Sequence, residues 1–458
     1  LHSQAPSSEK SRARRVLASA LACLAVLPAL AQTPPAPPAR PPVVEPATLS
    51  ERARDTLDRV RPAIVQIQGF FGANTAQAFH GTGFAVGAGG LMLTNFHVVA
   101  EHVLYPEKYR LEYRSPDGAT GKVTVLGIDV RHDLAVVRAE GFSPEPLSLN
   151  TTVPPKGERA YSIGFPLDVG LTITEGVSNG RVADAFDARI HYSGAINPGM
   201  SGGPALDQRG EVIGINVSGY RFEQLVSFLV PAEHAVALIE RARREPLKID
   251  RAHTEVSAQL RAHSRDLLAA TGVLPATAKP NGKEVAVPTQ AVEGYRLPGK
   301  LAAFVDCNAS GDPAPEQQIR SESIQCGAKA GVYVQQGLTS GDFTFSHYVM
   351  TGRGLDAWRF ARRLGTMAEA SGNFGHRRHL GPFSCRDKVV KLKGFDAGLL
   401  VCVRSYRKLE GLFDITARVV SLHQPSAGFA SHVDLYGVEF EGGMAFLRRF
   451  VEAIEWRP

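Results

Sequence analysis

The sequence predicts an all-β fold followed by a separate α+β, disulfide-containing C-terminal domain. Three observations carry this expectation. From about residue 64 to residue 229, short apolar stretches alternate with Gly, Pro, Asn and Asp turns, a spacing that suits a barrel or sandwich. The roughly 210 residues that follow are enough for a core of their own. Four of the five cysteines lie in that second half.

The elements follow in order. Lys10, Arg12, Arg14 and Arg15 precede the apolar run from Val16 to Leu30, and Ala29-Leu30-Ala31 has a small-x-small form. This is the pattern of an export signal ending at residue 31. The run is about 15 residues, short of the ~20 that span a bilayer, so no membrane span is expected in the mature chain. Cys23 raises a lipoprotein alternative, but Ala20 stands three residues before it, and the Ala31 site fits better. Residues 32–47 form a Pro/Ala-rich linker, an extended tether rather than a core.

A helix is expected from about Ser50 to Arg61, with Ser50 as N-cap and Ala53, Leu57 and Val60 facing inward. Strands are expected at about Thr82 to Val86, Leu91 to Asn95, Val123 to Asp129, Leu134 to Arg138, Leu171 to Thr174, Val212 to Val217 and Leu225 to Leu229, after a start at Ile64. Pro231 opens a helix that runs to about Arg244 and closes a first domain, residues 48–245. Residues 246–298 read as a helix (250–272) and a linker containing Pro275, Pro280, Pro288 and Pro298.

Gly199-Met200-Ser201-Gly202-Gly203-Pro204 is the most informative stretch. A serine hydroxyl is a poor nucleophile unless a base takes its proton and backbone N–H groups hold the oxyanion. Flanking glycines let the N–H groups of Gly199 and Ser201, helped by Met200, point at one spot. Alone, the stretch could be a glycine-rich turn with an incidental serine. Upstream, however, Leu91-Met92-Leu93-Thr94-Asn95-Phe96-His97-Val98-Val99 ends an apolar strand in a turn that presents a histidine. Asp133-Leu134-Ala135-Val136-Val137 puts an aspartate at the head of another strand. Asp129 stands only four residues away and reads better as a turn residue. His102, His132 and His191 read as surface or loop residues.

The order His97, Asp133, Ser201 and the three motifs resemble the trypsin-like serine proteases, most nearly the bacterial HtrA/Deg-like branch, over roughly residues 50 to 245. The resemblance implies a chymotrypsin-like double barrel with the three residues across the cleft between two six-stranded barrels. It implies a serine endopeptidase in which Ser201 attacks, His97 moves the proton and Asp133 orients the imidazole. It also implies a homo-oligomer, often a trimer. Met200 departs from the branch, where Asn usually precedes the serine.

In this fold the residue six before the serine lies at the base of the primary pocket. Here it is Ala195, followed by Ile196, with no carboxylate to pair a basic side chain. The strand carrying Asn216, Val217 and Ser218 is expected to wall the pocket and add the substrate as a strand. An uncharged, small-to-medium aliphatic residue is therefore expected at the first substrate position.

Removing the leader lowers the formal charge of +6 by three units, and no charge block or motif points to nucleic acid. The partners called for are polypeptides, with no cofactor and no metal. Cys307, Cys326, Cys385 and Cys402 allow three pairings. Loop closure favours Cys307–Cys326 with Cys385–Cys402, and export favours disulfides over a metal site. No PDZ-like carboxylate-binding loop is evident. Residues 299–458 hint at two repeats, because His347 precedes an arginine pair by 15 residues and His432 by 16. Both histidines read as structural, and chance remains the competing account of the match. The rival functional reading is a protease-shaped binding or chaperone protein with a latent site, in which the C-terminal domain carries the main role.

Overall fold

The computed structural model describes residues 51–217, 226–274, 286–311, 318–368 and 378–457. The export signal and linker expected over residues 1–47 lie outside them, as do Ser50, Ser218 and Pro275. Helix α1 (Glu51–Val60) leads into the first barrel. Its strands are β1 (Ile64–Phe71), β2 (Gln77–Gly87), β3 (Leu91–Thr94), β4 (Tyr109–Arg114), β5 (Thr120–Asp129) and β6 (Leu134–Ala139). They close in the order β1-β2-β3-β6-β5-β4. Helix α2 (Phe96–Leu104) is inserted between β3 and β4.

The second barrel closes in the order β10-β11-β12-β9-β8-β7. It comprises β7 (Glu158–Gly164), β8 (Thr172–Arg181), β9 (Ile190–Tyr192), β10 (Pro204–Leu206), β11 (Val212–Val217) and β12 (Ser227–Pro231). Two closed six-stranded barrels are the double-barrel architecture expected. Strands β4, β7, β9 and β10 were not anticipated individually. In β10 the sequence Gly-Gly-Pro reads as a turn, yet a proline can open a strand, where its missing N–H costs no ladder bond. Helix α3 (Ala232–Arg244) packs Leu238, Ile239 and Ala242 into the core with Val60, Leu93 and Val136.

Helix α4 (Ala252–Ala270) follows. Its first half buries Ala252, Val256 and Leu260 with the first barrel's core, and its second half buries Leu267 and Leu268 with the C-terminal core. The helix is therefore shared by both cores. Strands β13 (Thr289–Val292) and β14 (Tyr295–Pro298) form a hairpin inside the stretch read as linker. Tyr295 anchors it, fully buried against Phe429 and Trp456.

The remaining strands are β15 (Asp306–Gly311), β16 (Ile319–Gly327), β17 (Val332–Gln335), β18 (Leu338–Ser340) and β19 (Asp342–Gly352). After α5 (Ala357–Gly365) come β20 (Ser384–Leu392), β21 (Phe395–Ser405), β22 (Phe413–Ser421) and β23 (Ala427–Val438). Helix α6 (Phe440–Glu452) and β24 (Glu455–Trp456) end the chain's described structure. Seven of these strands build one antiparallel sheet, β15-β16-β19-β23-β22-β21-β20, while β24 joins β14.

The cysteines pair locally, Cys307–Cys326 across β15 and β16 and Cys385–Cys402 across β20 and β21. Each half of the sheet thus holds a disulfide-bridged hairpin, a long strand and a helix. The helices lie on opposite faces, because α6 packs with Val349 and α5 with Met350, and successive strand residues face opposite ways. His347 is buried with Nε2 donating to the Pro298 carbonyl at 2.9 Å, and burial pulls its pKa down to about 4. His432 Nε2 donates to the Met367 carbonyl at 2.7 Å. Both histidines are tied to backbone, as a structural role requires.

The chain from Leu49 onward is one compact unit. Val332, Val334, Leu338, Tyr406, Leu409 and Leu412 from the C-terminal half share a core cluster with Phe96, Val99 and Val103 of α2. Among the described residues, no helix is long and apolar enough to cross a membrane.

Candidate active site

Asn95 is the N-cap residue of α2 in extended conformation, but its side chain does not cap the helix. It donates instead to the Asp133 carbonyl at 2.7 Å, from a fully buried position. An uncapped first turn leaves N–H groups without partners. One of these, on His97, donates to Asp133 Oδ1 at 2.9 Å. The other carboxylate oxygen meets His97 Nδ1 at 2.7 Å. Asp133 therefore caps the helix from a different strand and fixes the imidazole ring with the same carboxylate. It does so from a left-handed backbone conformation (φ 57°) in the turn between β5 and β6, which aspartate tolerates better than most residues.

The electrostatics follow from this contact. Burial pulls the His97 pKa down, while the charge of Asp133 and its hydrogen bond push it up. The net direction is up. A quarter of the His97 side chain, 26%, stays exposed. Asp129 has an imidazole of its own: His132 Nδ1 lies 2.8 Å from its Oδ2, and the His132 ring stacks on His234 at 3.8 Å. The two aspartates are thus divided between two histidines, and Asp133 serves His97. His102, read as a surface residue, is half-buried with Nδ1 2.6 Å from the Tyr109 carbonyl. His191 is half-buried in β9.

Ser201 sits nearly buried in the turn before β10. Its carbonyl accepts from the Thr82 N–H of β2 at 2.8 Å. The Thr82 hydroxyl donates to the Gly199 carbonyl at 2.7 Å and accepts from the Phe165 N–H at 3.1 Å. Thr94 donates to the Thr82 carbonyl at 2.7 Å. This chain of bonds ties the serine turn to the first barrel. Gly202 lies so close to Thr94 and Asn95 that a Cβ there would stand 2.3 Å from the Thr94 hydroxyl and 2.9 Å from the Asn95 nitrogen. The serine turn and the segment leading to His97 are packed directly together. Sequence reading missed Thr82 and Thr94 as site residues; the signal was Thr82 between Gly81 and Gly83.

Gly199 adopts φ +97°, and a Cβ would stand 2.2 Å from the Phe165 carbonyl oxygen, so glycine alone fits. Among the described residues, the N–H groups of Gly199 and Ser201 donate to no protein acceptor. Met200 differs from expectation. Its N–H is spent on the Asn197 carbonyl at 3.0 Å, and its side chain is fully buried in the second barrel's core. The departure from the usual Asn is thus absorbed by packing inside the barrel.

Ala195 is half-buried, and its carbonyl accepts from Thr174 at 2.9 Å. Ile196 is buried in the core cluster that holds Met200. Asn216, expected to face substrate, is fully buried. Its amide donates to the Ile163 and Met200 carbonyls at 3.0 and 3.3 Å, and its backbone is taken up by Gly202 and Gly203. It holds the serine turn, and full burial keeps its side chain from a peptide. Strand addition can begin only at Val217, which is half-buried at the end of β11. Ser218, expected beside it, lies outside the described residues.

Residues 81–215 match the family described as Trypsin-like peptidase domain. The chain is 29% identical over 210 residues to Serine protease HTRA3 of Homo sapiens, covering 42% of this chain and 46% of that protein. It is 30% identical over 258 residues to the Probable periplasmic serine endoprotease DegP-like of Chlamydia pneumoniae, covering 54% and 46%. Solved structures it is similar to include the serine endoprotease from Yersinia pestis (24% identity, 44% of this chain, 68% of that chain, TM-score 0.37) and Deg5 (26% identity, 42% and 93%, TM-score 0.37). The chain spans about half the length of the curated relatives it matches. With its two barrels and this match, the chain carries a trypsin-like peptidase domain, and the relatives it matches are HtrA and DegP-like serine proteases.

Proposed function

We propose that the protein is an exported serine endopeptidase that hydrolyses polypeptides through an acyl-enzyme. The observation that carries this is the double grip of Asp133 on His97, beside a serine turn whose Gly199 and Ser201 N–H groups are unspent. In this reading Ser201 Oγ attacks the scissile carbonyl while His97 Nε2 takes its proton. Asp133, bound to Nδ1, stabilises the imidazolium. The two N–H groups hold the oxyanion. The imidazolium then gives its proton to the leaving amine, the acyl-enzyme forms, and water repeats the sequence in reverse.

Ala195 at the base of the primary pocket favours an uncharged, small-to-medium aliphatic residue before the scissile bond. Export is supported by the two disulfides and by relatives named as periplasmic. Homo-oligomerisation, a trimer by resemblance, is part of the same proposal and is read by light scattering.

The test uses the mature chain, residues 32–458, with a fluorophosphonate probe and unfolded casein, beside Ser201→Ala. Labelling and cleavage that vanish in the variant support the reading. Absence of labelling in the wild type would reject it in favour of a protease-shaped binding protein.

A further inference from the structure

Strands β17 and β18 leave the C-terminal sheet and form a two-stranded ribbon of their own. In β17, Val332 and Val334 are buried in the core cluster of α2 and the first barrel. Tyr333, between them, is half-buried at the edge of that cluster. Its ring meets the His97 imidazole edge-on, with centroids 5.8 Å apart and planes at 71°.

Two further contacts fix the ribbon on α2 and on its own module. The Gln336 N–H donates to Glu101 Oε1 at 3.1 Å, and Gln335 Nε2 donates to His379 Nδ1 at 2.8 Å. A residue of the C-terminal module therefore stands rigidly beside the imidazole, although it is remote from it in the sequence.

Tyr333 is also one wall of a cleft of about 560 Å³ between the second barrel and the module. Asp133, Val217, Phe228, Phe186 and Phe304 line the same cleft. Two ion pairs lie in its lining, Arg131 with Asp187 at 2.7 Å and Lys329 with Asp306 at 2.7 Å, and Arg131 also binds Asp266 at 2.8 Å. The cleft starts at Asp133 and Tyr333, the two residues that touch His97, and reaches Val217, where strand addition becomes available; Asp184, Arg189 and Lys300 also line it. A peptide bound there would run its N-terminal half along this cleft.

We propose that Tyr333 is a specificity-determining residue of the protease. It walls the subsite for the second substrate residue on the N-terminal side of the scissile bond, and the cleft beyond it takes the residues that precede. The proposal rests on the endopeptidase reading above. The exposure left to His97 argues for a wall rather than a plug. The tyrosine limits the size of the side chain that can lie against the imidazole, so small aliphatic residues are favoured at the second position.

The experiment compares wild type, Tyr333→Ala, Tyr333→Phe and Tyr333→Trp in the full mature chain. Quenched-fluorescent peptides carry an aliphatic residue before the scissile bond and Ala, Val, Leu, Phe or Tyr at the second position. Fluorophosphonate labelling of Ser201 is measured alongside. Tyr333→Ala is expected to raise kcat/KM for Phe relative to Ala at that position by about tenfold or more, the scale of a pocket-size change. The Phe-to-Ala ratio is the readout because both peptides meet the same enzyme, so it is independent of any change that the lost contact with the imidazole makes to Ser201 labelling. Tyr333→Phe should keep the wild-type profile, and Tyr333→Trp should tighten it against Leu and larger residues.

A wild type that labels normally, with an unchanged profile in the Ala and Trp variants, overturns the subsite while leaving the endopeptidase standing. A rise in labelling of about tenfold or more in Tyr333→Ala overturns it in favour of a ribbon that blocks the site. A wild type that does not label removes both readings together.

Discussion

Asp133 holds His97 at two atoms, accepting the backbone N–H at 2.9 Å and meeting ring Nδ1 at 2.7 Å. One carboxylate thus sets the position of the helix turn and the orientation of the imidazole. Asp133→Asn keeps the shape but puts an amide where Nδ1–H needs an acceptor. The expected loss in kcat/KM is on the order of 10⁴-fold. Asp129→Asn disturbs the His132 pair instead and should leave activity within about threefold. Peptide hydrolysis by the two variants tests the assignment, and equal losses would contradict it.

The same contact predicts a pH profile. Asp133 raises the His97 pKa above its usual 6.5 against the pull of burial. The proposed mechanism needs the neutral imidazole, so kcat/KM should climb with pH through a midpoint above 6.5. With Asp133→Asn the charge is gone and burial acts alone, which moves the midpoint of the residual activity below 6.5. The stability term has the opposite sign. The pair stabilises the protonated, folded form, fully below about pH 6.5, and this contribution disappears as pH rises through the folded pKa. A wild-type midpoint at or below 6.5 would count against the coupling.

Gly199 tests the oxyanion arrangement. With φ +97° and the Phe165 carbonyl 2.2 Å from the place a Cβ would take, Gly199→Ala must move the peptide that carries one of the two free N–H groups. Losing one such donor costs roughly 10²–10³ in kcat. KM should change little. Thr82→Val removes the hydroxyl that bonds Gly199 and Phe165 while keeping the volume. It leaves the buried Gly199 carbonyl and Phe165 N–H unsatisfied, a cost of about 1–3 kcal/mol each. Chemical denaturation should register that cost, together with a fall in kcat.

What the sequence made legible was local. The turn around Ser201, the strand end before His97 and the head of β6 at Asp133 each announce themselves in a few residues, because backbone geometry and chemistry are set there together. Asn216 was misread because a polar residue near a strand end resembles a substrate contact. Yet β11 is packed on both faces, and that amide holds up the serine turn. The role of Thr82 was illegible because its partners, Gly199 and Phe165, are remote in sequence. Tyr333 was beyond reach for the same reason. Nothing in Val-Tyr-Val distinguishes a strand that stays in its sheet from one that crosses to another domain's helix. The local disulfides, by contrast, are the pairing that short loop closure favoured among the three possible.

The shared core makes a last prediction. Expectation drew a separate C-terminal domain, joined by a helix and a linker. Leu412, 1% exposed, instead lies in one cluster with Phe96 and Val99 of the helix that carries His97. A tethered domain would melt on its own, with labelling of Ser201 surviving its loss. A shared core makes the two halves unfold together. Leu412→Ala leaves a cavity in that core and should cost about 2–5 kcal/mol. The Ser201 labelling midpoint in urea should therefore shift with the far-ultraviolet circular dichroism midpoint, by the same amount and in one transition. Tyr406 strengthens the case, because it belongs to this cluster while its hydroxyl donates to Asp414 at 3.0 Å, inside the module. Two separated transitions, with only the later one abolishing labelling, would show that the halves are energetically independent despite their contact.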